Sequence, residues 1–70
     1  MLPSIEIRVT RTLDRLGFSD VRVRDLGDGL VQLSGRTANP DDEAMVIAAA
    51  RTVQGVKEVD IMLQFRLYGD

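Results

Sequence analysis

Two glycine-bounded segments constrain this chain more than anything else in it. Asp28-Gly29-Leu30-Val31-Gln32-Leu33-Ser34-Gly35 places residues tolerant of positive φ ahead of a short alternating run that ends on glycine. Further on, Gly55-Val56-Lys57-Glu58-Val59-Asp60 hands the chain from a helical pattern to a valine-led strand. Such a chain must turn sharply at Gly29, leave a strand at Gly35 and start another after Gly55. That leaves room for one small unit of helices and strands.

The remaining elements fall into place around these turns. Ser4 is an N-cap, after which Ile5, Val9, Leu13 and Leu16 lie within about 80° of arc at the helical 100° per residue, and Gly17 follows as a C′ residue. The spacing predicts a first helix over 5–16. Val21 and Val23, then Val31 and Leu33, alternate at period two around the turn, which predicts a hairpin over 20–26 and 30–35 with those four side chains on one buried face. Asn39-Pro40-Asp41-Asp42-Glu43 reads as an Asx cap, a proline at N1 and three acids facing the positive end of the helix dipole. The second helix is expected to run from there to Val53 or Gln54, capped by Gly55, with Val46, Ala49, Ala50 and Val53 inward. Val59, Ile61, Leu63, Phe65 and Leu67 then alternate with Asp60, Met62, Gln64, Arg66 and Tyr68 as a long third strand.

The expected fold class is therefore α+β, in the order αββαβ, with a three-stranded mixed sheet and both helices packed on one of its faces. A right-handed crossover through the second helix makes the third strand parallel to the second. The pattern leaves open which of the first two strands it neighbours. Residues 1–70 form one domain, and the abrupt ends of the pattern are those expected of a piece excised from a longer protein.

Composition narrows the chemistry. The chain has no histidine and no cysteine, so the usual proton carrier near neutral pH and the thiolate metal ligands are both missing. Ser4 and Ser34 have no histidine base, and the acids 41–43 lack the spacing and glycine of a calcium loop. No enzyme activity, cofactor or metal is expected. A net charge of −2 does not fit nucleic acid as a partner, although residues 1–36 hold six arginines against five acids. No apolar run is long enough to be a transmembrane segment, and no signal peptide is visible.

Two surfaces remain as candidate binding sites. Arg8, Arg11 and Arg15 lie within about 60° of each other on the first helix, away from its apolar stripe, and form a basic ridge. Anionic lipid headgroups attract such charges by about 1 kcal/mol each near a membrane surface. A solvated face tempered by Glu6 and Asp14 is the plainer alternative. Arg22 and Arg24, with Gln32, Met62, Gln64, Arg66 and Tyr68, mark the outer face of the sheet, either a contact surface or the wet side that an antiparallel sheet tolerates.

The two opening motifs resemble those of the BON domain, named for bacterial osmotic-shock and nodulation proteins. The hairpin motif is carried here by Gly29, Val31, Leu33 and Gly35, and the junction after the second helix by Gly55, Val56 and Val59. The likeness runs from about residue 5 to residue 65; where many BON domains have asparagine shortly after the last motif valine, this chain has Asp60-Ile61-Met62. It implies a non-catalytic binding module of a bacterial envelope protein, in the periplasm or cell envelope, that associates peripherally with phospholipid; in this chain Arg8, Arg11 and Arg15, helped by Arg22 and Arg24, are the residues expected to meet anionic phospholipid. The alternative is a protein–protein assembly or scaffolding module: similar small domains build rings in bacterial secretion systems, and others sit in regulatory multidomain proteins. A cytoplasmic location stays open.

Overall fold

The computed structural model describes residues 3–65. The order is α1 (Ile5–Arg15), β1 (Val21–Gly27), β2 (Leu30–Thr37), α2 (Asp41–Arg51) and β3 (Glu58–Phe65), the αββαβ arrangement expected. Leu67, Tyr68 and Arg66 of the expected third strand lie outside the described residues.

Local chemistry sets the helix boundaries. The Ser4 hydroxyl accepts from the Ile7 N–H at 3.2 Å, satisfying one of the first-turn donors. At the other end, the Phe18 N–H reaches the Leu13 carbonyl at 2.9 Å and the Gly17 N–H reaches Asp14 at 3.1 Å, the paired bonds of a Schellman cap. This reversal corrects one expectation: Leu16 is 52% exposed. It sits at the C-cap, still in the right-handed region, and the reversal at Gly17 (φ 90°) carries Phe18 to the core in its place.

The start of α2 is as expected, since Pro40 has helical angles (φ −62°, ψ −27°) and the Asn39 carboxamide oxygen accepts from the Asp42 N–H at 3.2 Å. Its end comes earlier than Val53. The Thr52 hydroxyl donates to the Ala49 carbonyl at 2.6 Å, and Val53 to Val56 close a separate turn through the Val56 N–H and the Val53 carbonyl at 3.1 Å. Gly55 belongs to that turn and does not cap α2 directly, because Thr52 has already used a last-turn carbonyl.

β2 is the central strand, antiparallel to β1 and parallel to β3. Val31 pairs with Val59 and Leu33 with Ile61 on one side, while Leu33 pairs with Val23 and Gly35 with Val21 on the other. All these residues therefore point to one face. Against it pack Val9 and Leu13 of α1 and Val46, Ala49 and Ala50 of α2, which with Val21, Val31 and Leu33 form the buried core. Val23, Val59, Ile61 and Leu63 have the same facing but are only partly buried. Val59, Ile61 and Leu63 stand on an edge strand under an alanine-rich helix, with no strand beyond them among the described residues to complete the cover. Asp60 and Met62 point away and are exposed.

Two glycines hold the sheet's turns. Asp28 and Gly29 both take positive φ, 54° and 82°, the requirement of a two-residue turn matched to strand twist. The Gly29 carbonyl accepts from both Lys57 N–H (2.8 Å) and Glu58 N–H (3.2 Å), so the hairpin tip also anchors the start of β3. A Cβ on Gly29 would lie 2.7 Å from Lys57 Cγ and 2.9 Å from the Gly55 carbonyl oxygen. Gly35, at φ 110°, is closed off in the same way: a Cβ there would collide with the Asp20 carbonyl oxygen.

Candidate functional site

The arginines of α1 do not act alike. Arg8 donates from Nε to the Pro3 carbonyl at 3.1 Å and from Nη1 to the Gln54 carbonyl at 2.8 Å. Its guanidinium thereby ties the segment before α1 to the turn after α2, and a charged donor on a carbonyl gives the stronger kind of hydrogen bond. Arg11 and Arg15 are exposed. With Arg8, Thr12 and the stretch Thr52–Gln54 they line a surface groove of about 320 Å³ between the flank of α1 and the end of α2. Glu6 points elsewhere: its carboxylate accepts from the Asp25 N–H at 3.2 Å, supporting the bulge in β1.

Arg22 and Arg24 lie across the sheet from this groove, on the face the helices leave open. Register places Arg22, Ser34 and Met62 in one row and Arg24, Gln32 and Asp60 in the next. Within the second row the Gln32 amide lies 3.5 Å from the Asp60 carboxylate. A shallow depression of about 640 Å³ runs over the first row, lined by Asp20, Arg22, Ser34, Gly35, Arg36 and Met62. The five arginines expected to act together thus form two sets on opposite sides of the sheet. The Gln64 side chain, Arg66 and Tyr68 lie outside what is described.

The motif residues occupy structural positions. Val31 and Leu33 are core, Val56 and Val59 pack against its margin, and Gly29, Gly35 and Gly55 are turn or close-approach positions. No cluster of three or more carboxylate, histidine or cysteine side chains able to hold a metal occurs among the described residues, and no described helix is long and apolar enough to cross a membrane. The basic groove is suited to carboxylates or other anions, and the open face to a broad, shallow contact.

A third surface escaped the sequence reading. The outer side of α2 exposes Asp41, Ala44, Met45, Ala48 and Arg51. The signal was present: Ala44 and Ala48 make α2 apolar away from its core face, where surface helices ordinarily carry charge.

No family model matches this chain, and no curated protein matches it in sequence. Solved structures that share its fold include two of CdsD, a structural protein of the type III secretion system of Chlamydia trachomatis. One aligns with a TM-score of 0.72 at 21% identity over 89% of this chain. The other, of the C-terminal domain, gives 0.68 at 22% over 86%. This chain spans only 31% and 32% of those chains, so the likeness is to about a third of each.

Proposed function

We propose that this chain is a non-catalytic assembly module of a bacterial envelope apparatus, holding protein to protein. The observation that carries the reading is the likeness of nearly the whole chain to part of a secretion-system structural protein. The surfaces fit it. A three-stranded sheet with helices on one side presents a shallow open face bearing Arg22, Arg24 and Met62, residue types enriched where proteins meet. A domain this small also gains stability from any partner that binds only its folded state. The BON-like motifs belong with this proposal as the shared αββαβ framework, and a cell-envelope location goes with it.

Phospholipid binding ranks second. Arg8 is already held by two carbonyls, which leaves Arg11 and Arg15 as the exposed charges of the ridge, and Arg22 and Arg24 lie across the sheet from them. Photo-cross-linking in the native host, with the reactive side chain at Arg24 or Met62, tests the assembly reading against vesicle sedimentation. Discrete protein adducts from the sheet face, with no sedimentation on phosphatidylglycerol vesicles, are expected. Sedimentation at low salt that disappears in Arg11→Gln/Arg15→Gln, without adducts, would replace assembly by lipid binding.

A further inference from the structure

Between its charged ends, from Ala44 to Ala50, helix α2 is apolar on both of its sides. Val46, Ala49 and Ala50 on the inner side are buried in the core. Ala44, Met45 and Ala48 on the outer side are exposed, Met45 at 56%. Asp41 in the first turn and Arg51 in the last frame this outer face. A helix whose middle turns are apolar all round is best stabilised where something covers its second side as well.

We infer, resting on the assembly reading, that the outer face of α2 is covered by the same face of a second copy of this chain, the two helices antiparallel across a two-fold axis. In an antiparallel pair related by a two-fold, stepping forward along one helix steps backward along the other, and every contact occurs twice. With Ala44 set level with Ala48 of the second copy, Asp41 comes level with Arg51 of the second copy. One register therefore places small residues against small residues at the centre and opposite charges at both ends. The alanines allow the close approach this requires.

The surrounding charge runs the same way. Asp41, Asp42 and Glu43 crowd the start of α2, while Arg11 and Arg15 line the groove beside its end at Thr52–Gln54. Antiparallel pairing brings the acidic end of each copy alongside the basic end of the other, and it opposes the two helix dipoles. A foreign partner would have to match both ends; a second copy carries both charges at the matching spacing. Eleven helical residues span only about 16 Å, so the contact falls below the roughly 1,200–2,000 Å² of standard stable interfaces. The dimer is accordingly weak and suited to chains held at high local concentration.

Sedimentation velocity on the 70-residue chain, over a concentration series reaching the millimolar range, is the test. The expected result is a monomer–dimer equilibrium, with no larger species, that weakens as salt is raised. Asp41→Arg alone and Arg51→Asp alone should each raise the dissociation constant about tenfold or more, since each replaces two attractive pairs by two repulsive ones. An equimolar mixture of the two variants should recover the dimer, as should the double variant D41R/R51D, because opposite charges again face each other. Ala48→Glu should weaken association in every background, with melting temperatures confirming that each variant is folded. A wild-type dimer unaffected by these changes would remove α2 as the interface and leave the assembly reading intact. A wild-type chain that stays monomeric throughout would overturn the inference, and in-cell cross-linking would then decide the assembly reading by itself. Species larger than two would overturn the two-fold arrangement, and failure of the mixture to recover association would overturn the charge pairing.

Discussion

The hairpin seam and the arginine flank of α1 are built from opposite materials. At the seam, backbone meets backbone: the Gly29 carbonyl takes two N–H groups from the start of β3, and Gly35 lies against the Asp20 carbonyl. On the flank, long side chains meet solvent and a few carbonyls, with Arg8 fixed and Arg11 and Arg15 exposed. A backbone contact at positive φ admits essentially one residue type, whereas an arginine serves equally as a clamp, a ligand or a solvated charge. The seam should therefore be brittle to substitution and the flank tolerant, except at Arg8.

The sharpest break in that contrast comes from Gly35→Val. It combines a forbidden φ with a collision against backbone that no side-chain motion relieves, and should cost roughly 3 kcal/mol or more, enough to abolish a cooperative melt in a domain this small. Gly29→Val follows at roughly 1–3 kcal/mol, since the Lys57 side chain can yield but the Gly55 carbonyl cannot. An unchanged melting temperature in either variant would mean that the seam is not the rigid region described. Arg8→Gln tests the exception on the flank: losing two charge-assisted bonds at a part-exposed site should cost about 1–2 kcal/mol, or several degrees in melting temperature. Were Arg8→Gln to melt like wild type, the clamp would be only another surface charge. Arg11→Gln/Arg15→Gln should shift stability by no more than about 0.5 kcal/mol per site. A larger loss there, seen by thermal denaturation, would show that the exposed arginines also hold the fold.

The same contrast explains what could be read from the sequence. Ser4, Gly17, Asn39-Pro40 and Gly29 announced their roles because capping and turn geometry are decided within a few residues. The facing of Val59, Ile61 and Leu63 was legible for a similar reason: a period of two fixes which side chains share a face. Which strand β3 joins was not legible, because either neighbour would bury the same valines. The second helix was read too long, since the apolar pattern continues through Val53 while the hydroxyl of Thr52 turns back onto Ala49. Arg8 gave no local sign of its bond to Gln54, which lies 46 residues away. The outer face of α2 was overlooked because alanine suits both an exposed helix position and a contact, and only the finished packing shows which side was left bare.

The parallel pairing of β2 with β3 also sets how the domain comes apart. β1 and β2 are joined by a two-residue turn and close locally, whereas β3 reaches β2 only after the chain has passed through α2, from Thr37 to Glu58. Loop-closure entropy weighs against that second pairing and not against the first. β3 is also an edge strand, and none of its inward side chains at Val59, Ile61 and Leu63 is fully buried, so it is expected to detach at the lowest free energy. Amide protons in its ladder, at Asp60 and Met62 for instance, should exchange faster than those of Gln32 and Ser34, which face β1. While β3 is away, the bare edge of β2 becomes a template that the β3 of a neighbouring molecule fits equally well, and strand exchange becomes the route by which this fold would entangle at high concentration.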